Sequence, residues 1–231
     1  MKIKHAMILA AGLGKRMHPI TLNTPKPLIK IDNKNLLERS IQLLINHGIE
    51  EIIINVHYLA LQITDFIKSE KYNVKITISD EQNLLLNTGG GVLKAIKNFK
   101  EPFIVINPDT LWNNNYSSEL KNLEDLYLKE KKTCLLLVNK SLSFDKSFKG
   151  DFNLNGSKIS RDNNNIYIFT GLQILNQSIF NSINENVFSM NKVWNNLIKK
   201  KCLIGMQSKQ KFFHLNTKKM YDKILDLNIT H

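Results

Sequence analysis

The chain has 231 residues, 42% of them hydrophobic, and a formal net charge of +12. This length can bury a sizeable core in one domain, or in one domain with a small lobe, and no apolar run approaches the roughly 18 residues of a membrane span. Cys134 and Cys202 are far apart in the chain, which excludes a cysteine-rich zinc site and points to a reduced, cytoplasmic setting.

In chain order, strand-like and helix-like patterns alternate. Residues 1–5 lead straight into a short apolar strand, Ile3–Leu9, without the apolar core of a signal peptide. A loop rich in Gly and Pro follows. Residues 36, 37, 41, 44 and 45 are apolar at helical spacing, and His47-Gly48 supplies the stop. "EIIINV" (51–56) is β-branched and predicts a strand. Residues 59–67 predict a helix, 74–78 a strand, 89–99 a helix opened by glycines, and "PFIVIN" (102–107) a buried strand. A helix over 116–130 and a strand over 133–138 come next. Beyond residue 140 the strand candidates are shorter: 150–154, 158–160, 166–175, 203–207 and 211–215, with helices over 189–200 and 217–227. "RDNNN" (161–165) reads as a hairpin turn, and Trp112 and Trp194 read as packing residues.

This β-α-β alternation predicts an α/β fold, Rossmann-like, with a mostly parallel mixed sheet and helices on both faces. Ligands on such sheets bind beyond the carboxyl ends of the strands. The segments to watch are therefore Gly12–Lys26, Asn83–Gly91 and Asn107–Thr110, each following a strand.

The positive charge raises a nucleic-acid reading. The lysines, however, are scattered, arginine occurs only at 16, 39 and 161, and no basic run carries interleaved aromatics. The charge is better read as a surface bias whose field favours small anionic substrates.

"GLGKRM" (12–17) poses the first chemical choice. A dinucleotide-binding turn needs a third glycine where this chain has Met17, and the segment then runs through Pro19, Pro25 and Pro27. A phosphate cradle needs less. Gly12 and Gly14 let backbone N–H groups approach an anion, while Lys15 and Arg16 add cations, the latter as a planar fork. Taken alone, a simple strand-to-helix corner explains these residues equally. Lys26, framed by Pro25 and Pro27, is either an exposed turn lysine or an ammonium on a stiff support that stabilises phosphate charge. Asp109 ends the buried strand "IVINPD" and is the strongest metal candidate, because hard Mg²⁺ prefers carboxylate and phosphate oxygens. The histidines at 5, 18, 47, 57 and 231 form no ligand pattern.

Together, "MILAAGLGKRMHPITLNTPKPLIKI" (7–31) resembles the signature of the sugar-1-phosphate nucleotidyltransferases, L-A-A-G-x-G-[ST]-R-[ML]-x-P-x-[ST]-x-x-x-P-K-[PA]. Lys15 stands where a small residue is commoner. "TGGGVLKAI" (88–96), "PFIVINPD" (102–109), "GDF" (150–152) and "YIFTGLQIL" (167–175) follow in the family's order. The short length, triple glycine and "GDF" resemble the bacterial members that transfer uridylyl groups to N-acetylmuramate 1-phosphate in peptidoglycan recycling.

The resemblance implies a single nucleotidyltransferase domain over 1–231. About 1–139 would bind the nucleotide, and about 140–231 would form a small sugar-binding lobe and complete the sheet. It implies the reaction NTP plus sugar 1-phosphate to NDP-sugar plus pyrophosphate, with Mg²⁺, or Mn²⁺ or Co²⁺ serving as well or better. A guanylyl-, thymidylyl- or cytidylyltransferase and a nucleotide-binding pseudoenzyme are the alternatives. The partners are a nucleoside triphosphate and a sugar 1-phosphate, not nucleic acid or membrane.

By position, backbone groups of Leu9, Ala11, Gly12 and Gly14 meet the nucleotide, Thr88 and Gly89 close over the base, and Asn107 joins them. Arg16 holds the β- and γ-phosphates, Lys26 reaches the reacting phosphate, and Arg16, Lys26 and Asp109 form the catalytic set. Gly150, Asp151, Thr170 and Gly171 line the sugar pocket. Two departures stand out. Pro108 replaces the glycine before Asp109. "FFHLNT" (212–217) aligns with a "W-x-D-x-G-T"-like segment, so that His214 takes a metal-binding carboxylate's place and Asn216 a glycine's. The metal set is then Asp109 and His214.

Overall fold

A computed structural model describes residues 2–97, 99 and 101–227. His231 and Asn98, the latter inside the helix expected over 89–99, lie outside the described residues. The elements are β1 (His5–Leu9), β2 (Lys30–Ile31), β3 (Lys34–Asn35), α1 (Leu36–His47), β4 (Glu51–Val56), α2 (Ala60–Ser69), β5 (Lys75–Asp80), α3 (Asn87–Ala95), β6 (Phe103–Ile106), α4 (Tyr116–Glu130), β7 (Thr133–Asn139), β8 (Asn153–Asn155), β9 (Lys158–Ser160), β10 (Tyr167–Leu175), α5 (Met190–Lys199), β11 (Leu203–Ser208) and α6 (Lys218–Leu225). β2 and β3 form a small antiparallel pair. Among the described residues the others form one nine-stranded sheet in the order β5-β4-β1-β6-β10-β7-β11-β9-β8.

From β5 to β6 the neighbours are parallel, β10 runs antiparallel between β6 and β7, and β11 is again parallel to β7. Side chains alternate across the sheet, so each strand feeds two cores. Ala6, Ile8, Ile52, Ile54, Ile104 and Ile106 face α1, α2 and α4. Met7, Ile53, Phe103, Val105, Leu135 and Leu137 face α3 and α5. This two-sided burial is why the strands read as unbroken apolar runs. α1 is bounded by local chemistry: the Asn35 side chain accepts the Glu38 N–H at 2.7 Å, and Gly48 closes the helix at φ 92°.

The chain runs outward from β1 to β4 and β5, then returns to place β6 on the other side of β1. Strand order therefore reverses between β1 and β6, and a crevice opens at their carboxyl ends. The 12–28 loop leaves β1 there as three single 3₁₀ turns, Lys15–Met17, Ile20–Leu22 and Lys26–Leu28. α6 covers this loop from outside, with Met220 and Ile224 packed beside Met17, Ile29 and Leu215.

Two expectations need correction. Residues 211–215 are not a strand. Phe212 bridges Ser143 and His214 bridges Thr110, two different partners for one residue each, so no ladder forms. Residues 161–165 turn, but not as a hairpin. β9 pairs with β8 and β11, whereas β10 inserts between β6 and β7. Side-chain bonds within the turn hold it instead, including Asn165 Oδ1 accepting the Asp162 N–H at 3.0 Å. The strand expected over 150–154 is replaced by the shorter β8, shifted to Asn153–Asn155, with Phe152 making one bridge to Tyr167. Trp112 and Trp194 are buried as expected. No helix among the described residues is long and apolar enough to cross a membrane.

The triple glycine opens α3 by making room. Gly89 and Gly90 N–H groups both donate to the Phe188 carbonyl, at 2.8 and 3.1 Å, and the Thr88 hydroxyl accepts the Met190 N–H. A Cβ on Gly90 would lie 2.0 Å from the Asn186 carbonyl oxygen, whereas one on Gly12 would meet nothing within 4 Å. Gly90→Ala should therefore destabilise the protein by about 1–3 kcal/mol through overpacking. That corresponds to a fall in Tm of roughly 2–4 °C for each kcal/mol in a chain of this size. Gly12→Ala should leave Tm unchanged. Equal melting temperatures for both variants, measured by thermal unfolding, would show that residues 186–189 are not clamped on the helix.

Candidate active site

The crevice between β1 and β6 is a cleft of about 590 Å³, within the size range of small-ligand sites. Its floor is the backbone of Leu9–Gly12, where Ala10 and Ala11 bring no bulk. Gly14 sits at φ 64°, and a Cβ there would be 2.9 Å from Thr21 Cγ2. Its carbonyl accepts the Thr21 hydroxyl and the Met17 N–H, which folds the loop back on itself. Lys15 and Arg16 are exposed on the resulting lip and both line the cleft. That lip suits a multiply charged anion.

Opposite the lip lies a three-membered charge cluster. Lys26 Nζ is 2.6 Å from Asp109 Oδ2, and His214 Nε2 is 3.1 Å from the same oxygen. Pro25 and Pro27 hold the 3₁₀ turn that carries the lysine, and the turn that follows β6 carries the aspartate. The 213–215 segment is tied alongside by Leu111 N–H to Phe213 O and Leu215 N–H to Asp109 O, both 2.8 Å. Burial opposes ionisation of Asp109. The charges of His214 and Lys26, and hydrogen bonds from both, outweigh it and hold the carboxyl well below the usual range.

Beside this cluster stand Asn107 and Asn216, both lining the cleft. Asn216 Nδ2 donates to Asp145 Oδ2 at 2.9 Å. Asp145 is partly buried, which alone would raise its pKa. Hydrogen bonds from Ser147 and Asn216 hold the carboxyl below its ordinary value. Asp109 Oδ1, Asn107 Oδ1 and Asn216 Oδ1 are buried with no hydrogen-bond partner among the described residues. Unpartnered oxygens on one wall suit a hard divalent cation. Among the described residues no three of His, Cys, Asp and Glu converge into a closed metal site. A cation here would need further oxygens from an anionic ligand.

The far wall was not legible as function. Asn55 and Glu81 line the cleft and join three elements. Ala10 N–H donates to Asn55 Oδ1 at 2.8 Å, Asn55 Nδ2 donates to Glu81 Oε1 at 2.7 Å, and Leu86 N–H donates to Glu81 Oε2 at 3.0 Å. The available signal was one asparagine inside the otherwise apolar run "EIIINV". Leu85, Asn87, Thr88 and Val187 complete this side.

The structure brings Leu9, Ala11, Gly12, Gly14, Arg16, Lys26, Thr88, Asn107 and Asp109 onto one cleft. Gly89 stands behind it, its N–H spent on Phe188. The expected sugar residues lie deeper. Gly150 packs on the Asn165 carbonyl, where a Cβ would be 2.2 Å away. Asp151 Oδ2 accepts the Phe169 N–H at 2.9 Å. Burial pushes its carboxyl up, against that bond and the Arg161 and His214 charges. The Thr170 hydroxyl points into the core and donates to the Leu136 carbonyl, and the Thr170 carbonyl accepts from Thr110 Oγ1. Gly171 belongs to an irregularity in β10 between Phe169 and Gln173, and its carbonyl accepts the Asn107 N–H. These residues support the cleft wall rather than line it.

Comparison with known proteins agrees with this geometry. The family profile described as nucleotidyl transferase matches residues 5–141. The N-acetylmuramate alpha-1-phosphate uridylyltransferase of Caulobacter vibrioides is 30% identical over 203 residues, 84% of each chain. The enzyme of that name from Neisseria meningitidis is 37% identical over 123 residues, about half of either chain. Among solved structures, a UDP-glucose pyrophosphorylase complexed with UDP-glucose superposes with a TM-score of 0.80 at 21% identity, covering 97% of this chain and 98% of that one. A profile match over more than half of the sequence, with the motif's residues gathered on one cleft, places the chain in the sugar-1-phosphate nucleotidyltransferase family, as an enzyme.

Proposed function

We propose that the enzyme transfers a uridylyl group from UTP to N-acetylmuramate 1-phosphate, releasing pyrophosphate, in supplying cell-wall precursors in the cytoplasm. The observation that carries this reading is the relative of that activity aligned over 84% of both chains. The cleft is consistent with it. The Leu9–Gly12 backbone and the wall of Asn55, Glu81 and Thr88 bound a slot of the right character for a base. Arg16 and Lys15 sit where the triphosphate tail would lie.

In this reaction an oxygen of the sugar phosphate attacks the α-phosphorus in line, and the bond to the β-phosphate oxygen breaks. No proton relay or covalent intermediate is needed, so the protein works by positioning and charge stabilisation. Arg16 would grip the departing pyrophosphate through two N–H groups of its fork. Lys26, held on its proline-framed turn, would neutralise charge growing at the α-phosphate without reorganising. Asp109 would help to hold a divalent cation, Mg²⁺ in this reading, whose charge would supply electrostatic stabilisation of the transferring group. His214 would hold Asp109 in place from behind.

Three measurements test this reading. Pyrophosphate release should be fastest with UTP and N-acetylmuramate 1-phosphate in a screen against GTP, CTP, dTTP and ATP and against N-acetylglucosamine, glucose and mannose 1-phosphates. A clear preference for another pair would replace the substrate assignment. Lys26→Ala should lower kcat by about 100–1000-fold with the fold intact by circular dichroism; near-normal turnover would reduce Lys26 to a structural partner of Asp109. Arg16→Lys should raise the KM for the triphosphate, because a point charge replaces a bidentate fork. An unchanged KM would remove Arg16 from the phosphate site.

A further inference from the structure

The family resemblance aligns His214 with the second metal-binding position. The side-chain geometry points elsewhere. His214 Nε2 faces Asp109 Oδ2 at 3.1 Å. The same oxygen already accepts from Lys26 Nζ at 2.6 Å, so Oδ2 is the acceptor on this side and the ring nitrogen the donor. Nε2 must therefore carry the hydrogen of this contact, which leaves no lone pair on that nitrogen for a metal, and Nδ1, also buried without a partner among the described residues, points away from Asp109 Oδ2. The ring is also fixed. It stacks on Phe212 at 5.8 Å and 16° and meets the Phe148 edge at 5.4 Å. His214 does not line the cleft.

Asn216 does line it, on the same wall as Asp109. Its amide has one assignable orientation. Nδ2 donates to Asp145 Oδ2 at 2.9 Å, so the carbonyl end turns the other way. That oxygen, like Asp109 Oδ1, is buried without a partner among the described residues. The Asp145 carboxylate behind the amide draws positive charge to the nitrogen and leaves Oδ1 the more negative, as an outer carboxylate does for a metal-bound histidine. Asp145 is itself fixed by Ser147, whose N–H and hydroxyl donate to Oδ1 at 3.0 and 2.6 Å. The cleft lining thus carries two hard, unpartnered oxygens, one from a carboxylate and one polarised. That is the donor set of an oxygen-preferring divalent cation completed by phosphate oxygens.

Resting on the nucleotidyltransferase reading, we infer that Asn216, oriented by Asp145, is the second protein ligand of the divalent cation that accompanies the triphosphate, and that His214 is a positioning residue for Asp109.

Mn²⁺ with a non-hydrolysable UTP analogue tests this in the intact protein, by calorimetric titration and by pulsed EPR of the bound ion. In the wild type the Mn²⁺ spectrum should lack the nitrogen coupling of a coordinated imidazole. Asn216→Gly should weaken Mn²⁺ binding by about tenfold or more, and Asp145→Asn should weaken it in the same direction, as loss of an outer-shell partner does. Asn216→Asp, which keeps the shape and adds charge, should tighten it. His214→Gln, which retains an N–H for Asp109, should bind Mn²⁺ close to the wild-type affinity. Imidazole coupling in the wild type, or unchanged Mn²⁺ affinity in Asn216→Gly with an unchanged Tm, would overturn the assignment and return the ligand role to His214. Failure of the wild type to bind the analogue with or without Mn²⁺ would instead overturn the nucleotide reading beneath it.

Discussion

One carboxylate organises the site. Asp109 stands in the turn just past β6, a strand buried on both faces, and collects an ammonium from the 12–28 loop and an imidazole from the 212–217 segment. Neither partner could be held there by its own segment. The loop is a series of single turns, and the 212–217 segment makes only isolated bridges. The sheet supplies rigidity at one point, and charge pairing passes it to two irregular stretches. This also explains why the aspartate stays ionised despite burial: its neighbours exist to face a negative charge.

The same logic recurs on the other wall without charge pairing. Asn55 and Glu81 tie the end of β1 to the end of β4 and to the residues ahead of α3 through amide and backbone bonds. Gly91 stands against both; a Cβ there would be 2.7 Å from Glu81 Oε1. The walls therefore differ in kind. One is a polar lattice satisfied within the protein. The other keeps three oxygens unsatisfied, in a cleft that two exposed cations also line. Internal satisfaction makes a shape, and dissatisfaction leaves chemistry for a ligand.

Much of this was legible in the residues. The parallel half of the sheet was readable because two-sided burial writes unbroken apolar runs, as in "EIIINV" and "PFIVIN". Arg16 and Lys26, singled out by the loop motif, and Asp109, singled out by a strand end, line a single cleft, because glycines, prolines and strand ends are local signals. What failed was non-local. "KFFHL" has a strand's composition, but its pairing partners are two unrelated segments, which no periodicity encodes. Thr170 looked like a pocket residue, yet the irregularity in β10 turns its hydroxyl inward to Leu136. Asn216 read as a departure from a glycine pattern, and its meaning depends on Asp145, 71 residues away. The substrate classes implied by the motif rest on contacts of this long-range kind.

The strap of residues 186–189 across α3 has a consequence for how a nucleotide must point. A free helix N-terminus attracts phosphate through its unspent N–H groups and its positive dipole end. In α3 two of those groups are already given to the Phe188 carbonyl. The end of the helix is thus electrically muted, and it faces the cleft with the Thr88 and Asn87 positions instead. The competing anion site, the lip of Lys15 and Arg16, keeps its full charge. For a nucleotide bound as proposed, this leaves one attractive pole, which would direct the uncharged ring end toward α3 and the tail toward the loop. In that proposal, a peptide carbonyl from residue 188 would set which way round the substrate lies by silencing one of two anion-attracting ends.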